Sequence, residues 1–111
     1  MGIEVTGWGK CVPPSILTND DLSTILDTND EWITSRTGVR ERRIAHVSIS
    51  DMGTVAAQHA LASANKDPQD IEAVMMATCT PEYIVPSTAS RIQKNIGNKT
   101  AAAFDFNSAC S

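Results

Sequence analysis

The feature that most constrains the fold is a continuous apolar run, AVMMATC, at residues 73–79. Such a run predicts a strand that is covered on both faces, as strands of parallel sheets are. A second strand is predicted in TAAAFDFNSAC, at residues 100–110. Between them lies the helical segment TASRIQKNI, with Ser87 as its N-cap and Gly97 after its end. Strands that alternate with helices predict an α/β layered fold.

Capping residues and periodicity predict the remaining elements. Residues 2–8 predict a strand, and VRERRIA predicts an exposed edge strand. Ser50 is predicted to cap a long helix over about residues 51–65, whose alanine-rich face favours a close approach to a neighbour. Two short helices are predicted in DDLSTILD and NDEWITSR. Their candidate caps are Thr18 or Asn19 for the first and Asn29 or Asp30 for the second.

Composition and charge exclude several classes of protein. The chain is 41% hydrophobic and 20% charged, which is ordinary for a soluble globular protein. No apolar run approaches the ~20 residues of a membrane span, and the N-terminus lacks the pattern of a signal peptide. A net charge of −4 argues against nucleic-acid binding. Cys11, Cys79 and Cys110 show no zinc spacing, so no metal site and a reduced, cytoplasmic setting are expected.

Cys110, at the end of the second predicted strand, has two interpretations. If a helix follows it, the free backbone N–H groups there would lower the pKa of the thiol and hold an oxyanion, as a nucleophile requires. The alternative is a small buried residue, which base rates of burial favour from the sequence alone. Because the alternation stops at a strand end, we also expect the chain to be the front piece of a longer protein.

A second candidate site is the arginine-rich segment DEWITSRTGVRERR, at residues 30–43. Trp32 and Arg36 are four residues apart and share a helix face. An indole beside guanidiniums suits an adenine ring with phosphates, and it suits an acidic partner protein equally well. The remaining interpretation is a solvated strand, with Glu41 and Asp30 as ion-pair partners of the arginines.

Three further features have simpler interpretations. His59 lies on the alanine-rich helix face and is predicted to be a buried structural histidine. Cys79 ends a predicted buried strand and is interpreted as structural. The loop CTPEYIVPS has an apolar tip at residues 83–85, which is typical of an interface or a pocket wall.

Several segments together resemble one protein family. LDTNDEWITSRTGVRERRI resembles the signature near the start of the β-ketoacyl-acyl carrier protein synthase III family, with DEWI followed by RTG at its core. FDFNSAC resembles that family's active-site cysteine segment. GWGKCVPPSILTNDDL and PSTASRIQKNIG also fit the family's layout, so the resemblance covers essentially the whole chain.

The resemblance implies an α/β layered, thiolase-like fold of two similar halves, in a protein that is usually a homodimer. Residues 1–111 would form most of the first half, ending just after the active-site cysteine, with the second half absent from this chain. The implied reaction moves an acyl group from acyl-CoA to the cysteine and condenses it with malonyl-acyl carrier protein, releasing carbon dioxide. It starts fatty-acid or related acyl-chain synthesis, and acyl-CoA is a substrate, with no permanently bound cofactor.

The resemblance also implies roles for individual residues. Cys110 would be the nucleophile, and Arg40 would favour CoA phosphates or the acidic carrier protein. Val85 would reach across the dimer as a wall of the acyl pocket, where its small size leaves room for chains longer than acetyl. The residues implied at the CoA mouth are Thr28, Trp32 and Arg36, and those implied to line the acyl-pocket region with Val85 are Cys79 and Ala109.

The family's catalytic histidine and asparagine come from its second half, and neither His46 nor His59 matches that histidine. The chain alone is therefore expected to be inactive. Two rival functions stay open. One is a related thiolase-fold acyltransferase or ketide-forming synthase. The other is a non-catalytic short module that binds CoA or carrier protein, or that pairs with a full-length subunit.

Overall fold

The computed structural model describes residues 1–110, which form two compact units. The smaller unit is Val12–His46. The larger unit joins Met1–Cys11 to the chain from Val47 onward.

The smaller unit is a two-stranded antiparallel sheet with two short helices. Its elements are β1 (Ser15–Thr18), α1 (Asn19–Ser23), α2 (Asp30–Thr37) and β2 (Glu41–Ile44), and Ser15 lies opposite Ile44 in the sheet. Thr18 caps α1 through its hydroxyl, and Asn29 caps α2. Gly38 ends α2 with a φ of 72°, a conformation that glycine adopts without strain. The two helices and the exposed strand β2 confirm the predictions, whereas β1, four exposed or half-buried residues after two prolines, was not predicted.

The larger unit contains the predicted strand–helix–strand arrangement. Its elements are α3 (Ile49–Ala64), a short 3₁₀ helix (Pro68–Asp70), β3 (Ala73–Ala77), α4 (Thr88–Asn95) and β4 (Ala102–Phe106). β3 and β4 are parallel neighbours, with Ala73 opposite Ala102. α4 packs against both strands and against α3. The buried apolar side chains of this unit include Ala89, Ile92 and Ala101.

The prediction of a strand at residues 2–8 is wrong, because no strand pairs with this segment within residues 1–110. The segment instead lies against the alanine-rich face of α3. A Cβ atom on Gly7 would lie 2.5 Å from the carbonyl oxygen of Ala60, and one on Gly9 would overlap the carbonyl oxygen of Ala56. The predicted close approach to this helix face is therefore confirmed, and the two glycines permit it.

The sequence predicted that Ser50 caps α3, and this prediction is wrong. The helix begins at Ile49, and its cap is Ser48, whose hydroxyl accepts a hydrogen bond from the backbone N–H of Asp51 at 3.0 Å. Ser50 lies in the first turn and is buried. The segment SISD offers two serines with the same capping chemistry, so the sequence leaves the choice to the tertiary structure.

The prediction that β3 and β4 are covered on both faces is wrong for the described chain. Exposure alternates along both strands, because α4 packs on the face that carries Asp105. On the other face Met75 is 62% exposed, and Phe104 and Phe106 are 46% and 45% exposed. The sheet is thus half-covered within residues 1–110. Among those residues, no helix has the length and apolar character to cross a membrane.

Candidate functional site

The turn after β4 presents Cys110. The side-chain oxygen of Asn107 accepts hydrogen bonds from the thiol of Cys79 at 3.1 Å and from the backbone N–H of Ala109 at 3.0 Å. Ala109 has a φ of 44°, which is uncommon for a residue with a Cβ and often marks a functional turn. Cys110 is exposed, so its interpretation as a buried residue is wrong. The helix predicted to follow it lies outside the described residues.

Cys79 and Ala109 line the same cleft, at the carboxyl ends of the two parallel strands. Its other lining residues include Thr78, Phe106 and Asn107. Cys79 is exposed and lies two residues beyond the end of β3, so the prediction that it ends a buried strand is wrong. The structure thus brings together two of the three residues implied to line the acyl pocket. Val85 lines a different cleft, beside Tyr83, Arg91 and Lys94.

The loop that carries Val85 is anchored by Glu82, which sequence reasoning missed. One carboxylate oxygen accepts a hydrogen bond from the backbone N–H of Ser50 at 2.7 Å, and the other accepts one from Arg91 at 2.7 Å. Hydrogen bonds from the side chain and backbone of Ser50, with the charge of Arg91, hold the pKa of Glu82 below its usual range. The available signal was an acidic residue in a loop that is otherwise apolar or neutral.

Asp105 fixes β4 to the start of α4 and was also missed. Its carboxylate accepts hydrogen bonds from the backbone N–H groups of Thr88 at 2.7 Å and of Ala89 at 2.8 Å. These are unpaired donors of a helix N-terminus, where a negative charge is favourable. A lone acid within an apolar strand is the signal that would have identified it. Through Asp105, the strand that leads to Cys110 is held against the helix that covers the sheet.

In the smaller unit, Trp32 forms an exposed aromatic surface on α2. Its side chain is 54% exposed, and the guanidinium of Arg36 lies 5.3 Å from its ring centroid. Thr28 and Trp32 line one cleft, together with Arg42. The hydroxyl oxygen of Thr28 is buried and has no hydrogen-bond partner within residues 1–110. The structure therefore assembles an exposed ring, a cation and an unsatisfied polar atom around this cleft.

Asn19 is a buried residue that is hydrogen-bonded to Arg42, one of the residues that line this cleft. It is 1% exposed, and its amide donates hydrogen bonds to Asp30 and to the carbonyl of Val39, both at 2.8 Å. Its oxygen accepts a hydrogen bond from Arg42 at 3.3 Å. Sequence reasoning treated Asn19 as a candidate cap. The buried hydrogen bonds reach residues 11 and 20 positions away, so no local pattern indicates them.

Some of the arginines are paired within the chain, and others can bind a ligand. Arg43 forms an ion pair with Glu41 at 3.5 Å, as the solvated-strand interpretation predicted. Asp30 bonds Asn19 and Thr34, so its predicted pairing with an arginine is wrong. Arg40 is exposed and has no side-chain hydrogen bond or ion pair among residues 1–110. Arg40 and the Trp32-stacked Arg36 are thus free to meet an anionic ligand.

No group of three or more histidine, cysteine, aspartate or glutamate side chains is placed to hold a metal ion in the described part of the chain. His59 is exposed, which contradicts its prediction as a buried histidine. It lies on α3 beside Gly9.

Comparison with known proteins identifies the family. No protein-family model matches the chain. The chain is 58% identical over 107 residues to the β-ketoacyl-acyl carrier protein synthase III 2 of Vibrio cholerae, an alignment that covers 96% of this chain and 30% of that protein. The chain belongs to the β-ketoacyl-acyl carrier protein synthase III family. The predicted relationship is thereby confirmed, and the chain spans about a third of the length of the curated relatives it matches.

Solved structures agree with this assignment. The crystal structure of the synthase III of Aquifex aeolicus matches with a TM-score of 0.89 at 46% identity, over 99% of this chain and 36% of that one. A priming β-ketosynthase from the R1128 polyketide biosynthetic pathway matches with a TM-score of 0.85 at 36% identity, over 96% of this chain and 32% of that one. The predicted α/β, thiolase-like fold class is therefore confirmed.

Proposed function

We propose that the protein carrying this sequence condenses acyl-CoA with malonyl-acyl carrier protein, with loss of carbon dioxide, and so initiates fatty-acid or related acyl-chain synthesis. The observation that carries this proposal is the exposed Cys110, presented by a tight turn at the end of β4 in a chain of this family. An exposed thiol on a fixed turn suits a nucleophile that must meet an incoming thioester.

The chemistry proceeds through an acyl-cysteine. The thiolate of Cys110 attacks the carbonyl carbon of acyl-CoA, so that a sulfur–carbon bond to Cys110 forms and the one to CoA breaks. The departing CoA thiolate takes up the proton that the Cys110 thiol gave up. Loss of carbon dioxide from the malonyl group then gives an enolate, which attacks the acyl carbonyl and releases the thiolate. The developing negative charges need hydrogen-bond donors. Since His46 and His59 do not match the family's histidine, these donors are assigned to the part of the relatives that this chain does not span.

The smaller unit is proposed to hold the CoA moiety. Trp32 offers an exposed ring on which an adenine can stack, and Arg36 beside it offers a cation for phosphate. The buried hydroxyl of Thr28 lacks a partner among residues 1–110, so a polar ligand group nearby would satisfy it after a small shift. Arg40, exposed and unpaired in the described chain, is proposed to meet CoA phosphates or the acidic carrier protein.

The larger unit is proposed to bind the acyl chain. Cys79 and Ala109 line the cleft at the turn before Cys110. Val85 is 82% exposed at an apolar loop tip, which supports its role as a wall contributed to a second copy in a homodimer. Because valine is smaller than an aromatic residue, we propose that the protein accepts acyl chains longer than acetyl.

The deciding experiment is a denaturing intact-mass spectrum of the protein after incubation with acyl-CoA. The expected result is a gain of one acyl group that the Cys110→Ser variant loses. Cys11→Ser is the matched control, because Cys11 is also a free cysteine and does not line the cleft at the Cys110 turn, and it should keep the adduct. An adduct that persists in Cys110→Ser, or no adduct on the wild-type protein, would overturn the proposal.

The same spectrum separates the rival functions. A species much heavier than these residues supports a complete synthase. A species at the mass of these residues that takes no acyl group supports the non-catalytic module that binds CoA or carrier protein. The similarity to a priming ketosynthase keeps polyketide initiation as an alternative pathway for the same chemistry, which a comparison of acyl-CoA substrates distinguishes.

A further inference from the structure

The loop between β3 and α4 carries an apolar tip whose side chains are largely exposed. Tyr83, Ile84 and Val85 are 57%, 92% and 82% exposed. An exposed loop of this kind loses conformational entropy when it is held in one arrangement, and its apolar side chains gain nothing from burial to offset that loss. The contacts that can hold the tip in one arrangement are therefore mainly those beside it.

Glu82 supplies those contacts and connects the loop to two helices. Its carboxylate meets the backbone N–H of Ser50 in the first turn of α3 and the guanidinium of Arg91 on α4, both at 2.7 Å. The side chain of Glu82 is only 16% exposed, so these charge-assisted hydrogen bonds are partly shielded from water. Because each carboxylate oxygen has its own partner, rotation of the carboxylate would break at least one bond.

Arg91 extends the same network to the tip itself. Its guanidinium carbon lies 5.7 Å from the ring centroid of Tyr83, within the range of a cation–π interaction. Arg91 therefore contacts both the anchor residue and the first residue of the tip. The cleft between the tip and α4 is lined by Tyr83 and Val85 on one side and by Arg91 and Lys94 on the other.

We infer that Glu82, acting with Arg91, is a positioning residue that holds Val85 in place and thereby sets the acyl-chain-length preference of the enzyme. This inference rests on the proposed function, in which Val85 walls the acyl pocket. A wall discriminates between chain lengths only if it stays in place. When the anchor is removed, the tip moves away from the acyl chain without any change in the residues that line the pocket.

The test compares chain-length preference in Glu82→Gln, Glu82→Ala and wild-type protein. We compare kcat/KM for the preferred acyl-CoA with kcat/KM for an acyl-CoA that is two carbons longer. The ratio of the first to the second should fall by up to about fifteenfold in Glu82→Ala, since each of the two methylenes is worth about fourfold. Glu82→Gln keeps an oxygen for Ser50 but loses the ion pair. Its ratio should therefore lie between those of wild-type protein and Glu82→Ala. Glu72→Gln is the matched control, because Glu72 is exposed and its side chain has no hydrogen bond within residues 1–110.

A second variant changes the partner of Glu82 on α4. Arg91→Met removes the ion pair and the contact with Tyr83, and it should flatten the preference even if Glu82→Ala does not fold. Acyl-Cys110 formation, followed by intact mass in every variant, reads out the proposed function separately. If wild-type protein, Glu82→Ala and Arg91→Met all form the adduct and have the same kcat/KM ratio for the two acyl-CoA lengths, the inference fails and the proposed function stands. If wild-type protein forms no adduct, both fail.

Discussion

The guanidinium of Arg36 lies 5.3 Å from the ring centroid of Trp32, one helical turn earlier on α2. The stack occupies part of the indole surface, while 54% of the residue stays exposed. The arginine is therefore held beside the ring before any ligand arrives, and the remaining indole surface is open to a planar ligand. This arrangement leads to the first prediction, which concerns CoA binding.

Trp32→Ala should raise the KM for acyl-CoA by about tenfold or more, because stacking of a base on an aromatic side chain is worth about 1–3 kcal/mol. Steady-state kinetics should show kcat almost unchanged, since the ring is assigned to binding. Trp8→Ala is the control, because Trp8 is 74% exposed and belongs to the other unit. Equal effects of the two substitutions on KM would contradict the assignment of Trp32.

Val85→Phe should shift substrate preference toward acetyl-CoA. A larger side chain removes the room that longer chains occupy, and each methylene lost from an apolar pocket costs about 0.8 kcal/mol. The measurement is kcat/KM across a series of acyl-CoA lengths. Ile84→Phe adds the same aromatic bulk at the neighbouring position, which is 92% exposed, and should leave the profile unchanged. A wild-type protein that accepts acetyl-CoA alone would refute the hypothesis outright.

Local chemistry explains which parts of the fold the sequence predicted. Asn29 before α2, Gly38 after it and Ser87 before α4 each act on residues within one helical turn. Their effect depends on hydrogen bonds between near neighbours, so a short segment contains all the information. The same holds for the parallel strands β3 and β4, whose pairing follows from the helix between them.

Long-range contacts explain what the sequence did not predict. Glu82 binds the backbone of Ser50, 32 positions away, and Asp105 binds the start of α4, 17 positions away. Neither contact has a periodic signal. The strand prediction at residues 2–8 was wrong for the same reason. An alternating pattern predicts a strand without specifying the neighbour that must pair with it. In the candidate site, the sequence indicated which residue types could carry the chemistry. It did not indicate the Asn107 contacts that shape the Cys110 turn.

Asp105→Asn should destabilise the protein by about 1.5–3 kcal/mol, because hydrogen bonds to a charged group contribute that much and the amide keeps only one acceptor oxygen. The two backbone donors at the start of α4 would then compete for it. Urea unfolding gives the free-energy difference. Asp27→Asn serves as the control, since Asp27 is exposed and its side chain has no hydrogen bond among residues 1–110. A similar loss in both variants would show that Asp105 has no special role.

Gly9→Ala should destabilise the larger unit by about 1–3 kcal/mol, the usual cost of overpacking. The added Cβ would lie 2.6 Å from the Cβ of His59 and would overlap the backbone of α3, so the N-terminal segment would have to move away. Gly2→Ala makes the same chemical change where no atom lies within 4 Å, and should be nearly neutral. Comparing the thermal midpoints of the two variants tests the close approach directly.

Lowering the pH should weaken the contacts that Glu82 makes with Ser50 and Arg91. The Glu82→Gln variant should lack this pH-dependent loss of stability. The folded pKa of Glu82 lies below its ordinary value, because Ser50 donates hydrogen bonds to the carboxylate and Arg91 is beside it. A lowered folded pKa means that the ionised form stabilises the fold above the unfolded pKa of about 4.3. That contribution is lost as the pH falls from there through the folded pKa.

The measurement is the free energy of unfolding of wild-type protein and Glu82→Gln at neutral pH and at successively lower values. Wild-type protein should be the more stable at neutral pH, and the difference should shrink as the pH falls below the unfolded pKa. Asp21, whose pKa is lowered by hydrogen bonds from Thr18, titrates in both proteins and cancels in the difference. Arg91 stays charged throughout, so the change reports Glu82 alone. A difference that is constant with pH would show that the Glu82 contacts do not depend on its charge.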